Sequence, residues 1–228
     1  MDREHTDKNF EEDLTRLRID IVQMGGLVEE QIQKAVNSLV NRDSTLAETI
    51  IKRDHEVNHL DVDIDDLCIR LLALHQPAAK DLRLITTGLK ITTDLERIGD
   101  MAVNICERAL ELNLEPQLKP YIDIPRMAQI AQRMIRESLD AFVREDTDLA
   151  LKVCKDDQEV DDLNSQIFRE TITFMISDPR TINRAMKVTF VSKYLERIAD
   201  HATNISEMVI FMAKGKRIRH IKEIPQSV

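Results

Sequence analysis

One pattern is written twice in this chain. Residues 94–107, DLERIGDMAVNICE, match residues 194–207, YLERIADHATNISE, at a shift of 100. Upstream, residues 41–60, NRDSTLAETIIKRDHEVNHL, match residues 144–163, REDTDLALKVCKDDQEVDDL, at a shift of 103. Two blocks repeated in the same order mean that the fold is one structural unit made twice. The shift falls because the turn around Pro77 is longer than the turn around Pro179.

The unit reads as helical. Gly and Pro number only 5 and 6, Trp is absent, and charged residues make up 32%. Long stretches of Leu, Ile, Ala, Glu, Lys and Arg favour helix, with few β-branched or aromatic runs to compete. Breakers at residues 41–44, at Pro77, at 144–147 and at 177–179 punctuate them, and Asp43, Ser44, Asp146 and Asp178 are N-cap residue types. The spacing predicts six helices, roughly 9–41, 44–75, 79–113, 122–144, 147–177 and 179–214. A stretch with three prolines, residues 113–126, separates the copies. The expected fold is all-α: two tandem three-helix bundles, residues 1–116 and 117–228.

In the third helix, Leu95, Ile98, Ala102, Ile105, Ala109 and Leu112 alternate by three and four and form a core seam. Leu195, Ile198, Ala202, Ile205, Val209 and Met212 repeat it. Ile50, Val57, Leu60, Ile64, Leu67, Leu71 and Leu74 form the seam of the second helix.

Glu96, Asp100 and Asn104 lie away from that seam at about 100° per residue, and Glu196, Asp200 and Asn204 repeat them. Asp is a poor helix former, so folding alone does not ask for the repetition. Carboxylates one turn apart repel unless they share a cation, and Arg97 and Arg197 offset part of that charge. On the second helix, Asp54 and Asn58 are spaced i, i+4, and Asp157 and Asp161 match them. Antiparallel packing would bring Asp54 and Asn58 beside Glu96 and Asp100, and Asp157 and Asp161 beside Glu196 and Asp200. Oxygen-only sites suit Mg²⁺, Mn²⁺ or iron, with zinc behind them. The second unit offers four carboxylates and the first three plus an amide, so the second is expected to bind metal more tightly.

His55-Glu56-Val57-Asn58-His59 spells H-E-x-x-H, the zinc-peptidase pattern. Its repeat partner, residues 158–162, keeps neither histidine, and no β-sheet frames it. A ferritin-like di-iron site fails for the same missing histidine. His5, His75, His201 and His220 have no spacing partner. Cys68, Cys106 and Cys154 are far apart and odd in number, as expected in a reducing compartment.

The formal net charge of −9 argues against nucleic acid as the main partner. The one basic cluster, KGKRIRHIK at residues 214–222, reads as a solvated end or as a contact for an anionic surface. No apolar run reaches a membrane span, and the N-terminus is too polar for a signal peptide. The expected location is the cytoplasm.

Taken together, LERIGD and LERIAD with their trailing N-I, HQPAAKDLRLI after the second helix, and MGGLVEEQI in the first resemble the PhoU family over nearly the whole chain. The resemblance implies two three-helix bundles in a cytoplasmic homodimer without enzymatic activity. It implies a negative regulator of phosphate uptake and phosphate-starvation signalling, acting with a phosphate-specific ABC transporter ATPase and a sensor histidine kinase. Membrane association would come only through those partners. It also implies metal ions, in some members multinuclear clusters, held through E(D)xxxD motifs, here Glu96/Asp100 and Glu196/Asp200 with Asp54/Asn58 and Asp157/Asp161 beside them. Asp81 and Arg83 match a family feature, read as a helix cap with first-turn charge or as a partner contact. Two other readings of the clusters are a carboxylate-bridged metal enzyme and a metal-free helical scaffold.

Overall fold

Each unit opens with a helix that ends in the same turn. The computed structural model describes residues 2–215, with side chains from residue 8 onward. Helix α1 (Asp2–Val40) and helix α5 (Asp123–Arg144) both run into a non-glycine residue at positive φ, Arg42 at 56° and Glu145 at 54°. The next residue then donates its backbone N–H back to the helix, Asp43 to Ser38 O at 2.8 Å and Asp146 to Ala141 O at 2.9 Å. Each aspartate also caps the helix that follows: Asp43 Oδ1 accepts from the Leu46 N–H at 2.9 Å, and Asp146 Oδ1 from the Leu149 N–H at 3.0 Å. Such caps contribute about 1 kcal/mol each. The repeat seen in the letters is therefore a repeat of backbone geometry.

The remaining elements are α2 (Ser44–Arg53), α3 (His55–His75), α4 (Ala79–Asn113), α6 (Thr147–Ser177), a 3-10 turn (Pro179–Thr181) and α7 (Ile182–Lys214). No strand occurs among the described residues. One expected element divides: the helix read as 44–75 is α2 plus α3, with the junction at Asp54. The Asp54 carbonyl accepts from both the Val57 and Asn58 N–H groups, at 3.0 and 3.3 Å, so the chain passes through a tightened turn and not a loop. Its counterpart α6 runs unbroken through Asp157. Helix α1 also begins earlier than the spacing indicates, at Asp2.

Helices α4 and α7 pack on each other across the two units, as do α1 and α5. The outer helices, α2 with α3 and α6, contact only their own unit. Every residue of the third-helix seam, from Leu95 to Leu112, is buried, and so is every residue of its copy from Leu195 to Met212. The second-helix seam holds except at its end, where Leu74 is 69% exposed and Leu60 only half-buried. Leu74 lies in the last turn of α3. No helix among the described residues is long and apolar enough to cross a membrane. The basic tail beyond Gly215, with His220, lies outside the described residues, and the His5 side chain does too.

The glycine pair in MGG shows how the units approach each other. A Cβ on Gly25 would meet Leu139 Cδ1 of α5 at 2.1 Å, whereas nothing lies within 4 Å of one on Gly26. Gly25→Ala is therefore expected to destabilise by about 1–2 kcal/mol through overpacking. Gly26→Ala is expected to stabilise by about 0.5–1 kcal/mol through helix propensity. Urea unfolding of the two variants would read opposite signs. Equal shifts would deny the close approach of α1 to α5.

Candidate metal centres

In each unit the predicted carboxylates stand where the outer helix packs on the central one, and in the second unit an open groove runs between the two helices. In the second unit, Asp157 and Asp161 come from α6 and Glu196 and Asp200 from α7. Asp157, Asp161 and Asp200 edge an open groove of about 930 Å³ that is also lined by Arg197, His201 and Glu207. Burial pushes Asp157 up to about 7, helped by the charges of Asp161, Asp200 and Glu196. Asp200 is raised as well, by burial and then by Glu196 and Asp161, while Lys193 and His201 pull it back. Lys193 is in ion-pair contact with Glu196. All four predicted residues thus feel one another in this unit.

The first unit has the same plan with different chemistry. Burial raises Glu96, and Asp100, Asp61 and Asp54 add to it. Asp100 is raised by burial and by Asp54. Asn58 is turned onto its neighbour: its Nδ2 donates to Asp54 Oδ2 at 3.0 Å. Asp61 went unread in the sequence. It lies seven residues past Asp54, a spacing that returns to the same helix face, and its charge reaches Glu96. The repeat hides it, because its partner at a shift of 103 is Asn164. Asp61 thus adds an acidic charge near Glu96 in the first unit, while Glu207 joins Asp157, Asp161 and Asp200 in lining the second groove.

The donor chemistry of both grooves fits a hard cation. The groups are oxygens, they sit close enough to oppose one another's ionisation, and Asp54 Oδ1 is buried with no hydrogen-bond partner. Among the described residues, no three or more His, Cys, Asp or Glu side chains are already gathered as an ion would require.

The H-E-x-x-H segment is held in other ways. His55 and His59 are exposed and meet edge to face, with ring centroids 6.0 Å apart. Glu56, which would be the general base of a peptidase, receives two hydrogen bonds from Arg53, both at 2.9 Å. No groove carboxylate is directed at these rings in any contact that the structure records.

Two further residues find partners that spacing does not reveal. His201 Nδ1 stands 2.8 Å from Asp94 Oδ1, joining α7 to α4, and Asn204 Nδ2 lies 3.5 Å from the same oxygen. Arg83 Nε donates to Met212 O at 3.0 Å, across to the last turn of α7. Asp81 stands in the first turn of α4, whose N-cap is Ala78 with no side-chain cap.

The chain is similar to known proteins over nearly its whole length. The PhoU domain family model matches residues 21–109 and again residues 124–209. A Pseudomonas aeruginosa protein described as a phosphate-specific transport system accessory protein PhoU homolog is 42% identical over 95% of this chain and 90% of its own. A similarly described Aquifex aeolicus protein is 45% identical over 95% of this chain and 98% of its own. The crystal structure of PhoU from Pseudomonas aeruginosa superposes with a TM-score of 0.87, covering 91% of this chain and 100% of that one at 42% identity. The phosphate transport system regulatory protein PhoU from Streptococcus pneumoniae superposes with a TM-score of 0.86 at 28% identity, covering 92% and 99%.

Proposed function

The chain belongs to the PhoU domain family, and from that premise we propose that it serves as an accessory protein of a phosphate-specific transport system. In this reading it is a non-enzymatic negative regulator of phosphate uptake and phosphate-starvation signalling. It works in the cytoplasm as a homodimer, between the transporter ATPase and a sensor histidine kinase.

The observation that carries the metal-binding part of this reading is the mutual strain of the carboxylates. Burial, and after it the charges of Asp161, Asp200 and Glu196, hold Asp157 up to about 7. A cation would relieve that opposition and turn a repelling surface into one that accepts acidic or phosphate-bearing groups. Asp157, Asp161, Glu196 and Asp200 would hold it in the second unit. Asp54, Glu96 and Asp100, with Asp61 at the edge, would hold it in the first. Lys193 is paired with Glu196, and Arg197 lines the groove beside them. Because α3 and α6 touch only their own units, both grooves lie toward the outside of the molecule, where a partner can reach them.

A pull-down tests the docking role. The Glu196→Ala/Asp200→Ala protein is expected to lose most of its binding to the transporter ATPase and the kinase. Binding of both partners at the level of the unaltered protein would sink the role of that groove, whatever its metal content.

A further inference from the structure

The two grooves differ in what lies beneath them. Gln31 of α1 is only 8% exposed, and its Oε1 has no hydrogen-bond partner. Asp54 Oδ1 is likewise buried and unpartnered. Both oxygens face the bare backbone of Gly99 on α4. A Cβ placed there would stand 3.3 Å from Gln31 Oε1, 3.6 Å from Asp54 Oδ1 and 3.4 Å from Val57 Cγ1. Two acceptors thus face the same glycine, and neither has a hydrogen-bond donor. A buried acceptor left unsatisfied is costly, so such a pair calls for something positive.

The second unit lacks this arrangement. At the shift of 103 that relates α1 to α5, Gln31 becomes Met134, and at the shift of 100 Gly99 becomes Ala199. Met134 and Ala199 are both fully buried. The second unit therefore fills with apolar groups the place where the first sets an amide oxygen beside a glycine. The family match begins at 21 and 124 and ends at 109 and 209, which keeps both pairs in register.

We infer that Gln31, Asp54 and Gly99 form an inner subsite of the first groove that admits a hard divalent cation, with Gln31 Oε1 and Asp54 Oδ1 as its protein oxygens. This rests on the reading that the grooves hold cations, and it adds that the units hold them differently. The first unit draws a ligand from a third helix, α1. The second relies on the carboxylates of α6 and α7 alone. Amide and carboxylate oxygens together suit Mg²⁺ or Mn²⁺ better than zinc.

The test uses Mn²⁺ as the probe, followed by calorimetry and by electron paramagnetic resonance, in full-length chain carrying Asp157→Asn/Asp200→Asn so that the first unit is read alone. Gln31→Met and Gly99→Ala each copy the residue of the second unit, so the fold already accommodates them in equivalent surroundings, and circular dichroism checks each variant. Both are expected to weaken first-unit Mn²⁺ binding about tenfold or more, while Gln31→Glu, which keeps the oxygen, retains it. Binding within twofold after Gln31→Met would overturn the subsite. So would an equal loss from Gln31→Glu, because the amide would then be acting as a donor to Asp54. Failure of the first unit to take Mn²⁺ at all would overturn it too. Mn²⁺ bound by the chain with an intact second unit tells that outcome apart from failure of the groove reading itself.

Discussion

His201→Ala is expected to destabilise the protein by about 3 kcal/mol, more than any surface change in either groove. His201 is 7% exposed and Asp94 8%, and their 2.8 Å contact joins the central helices of the two units. Removing the ring leaves the Asp94 carboxylate buried with only Asn204 near it, at 3.5 Å. It also opens space between α4 and α7. Asp94→Ala should cost a similar amount by orphaning the imidazole. The repeat supplies its own control. At a shift of 100 the equivalents of Asp94 and His201 are Tyr194 and Met101, so this polar link exists once, in one of two related places. The double change Asp94→Tyr/His201→Met copies the residues at the related place and is expected to recover most of the loss, since a buried polar pair is often replaceable by packed groups that leave no unpaired charge. Thermal melts of the three variants would check this. A loss below about 1 kcal/mol in both single variants would mean that the pair contributes little to joining the units.

Asp157→Asn is expected to act in two opposite directions: a more stable metal-free protein and a weaker metal site. An aspartate that ionises at 3.8 in the unfolded chain is raised to about 7 in the fold. The folded state therefore binds more protons between these values, and stability falls as pH rises through that window. Above about pH 7 the whole penalty is present; below about pH 4 it vanishes. The shift sets a ceiling of about 4 kcal/mol, which water on the open side of the groove lowers to about 1–2 kcal/mol. The asparagine variant should thus melt higher than the unaltered protein at pH 8 and level with it at pH 4. Added Mn²⁺ should reverse the order at pH 8, because the ion stabilises the ionised groove and the amide gives it less. A variant that melts lower at pH 8 without metal would show that Asp157 is already satisfied.

The fold was legible because the apolar seams and the caps say the same thing at several levels. The alternation of Leu95 to Leu112 and its copy identified the central helices, and Asp43 and Asp146 marked the turns. The break at Asp54 was not legible, since its letters are good helix letters and its second-unit counterpart stays helical. The carboxylates were found because they repeat. Asp61 and Gln31 escaped for the same reason: each belongs to one unit only, and a search by repetition discards what is not repeated. The Asp94 and His201 pair had no signal in spacing, because it arises where two helices from different units cross. The histidines of the H-E-x-x-H segment drew attention by pattern and are exposed bystanders, with Glu56 committed to Arg53.

The central claim, that matching acidic grooves on the two units hold hard cations, is tested most directly by metal content. Equilibrium dialysis against Mn²⁺ followed by elemental analysis would compare the unaltered chain with Glu96→Ala/Asp100→Ala and Glu196→Ala/Asp200→Ala. Bound metal is expected in the unaltered chain, with one share lost in each double variant and the tighter share lost from the second-unit change. Metal absent from the unaltered chain, or equal in all three proteins, would contradict it.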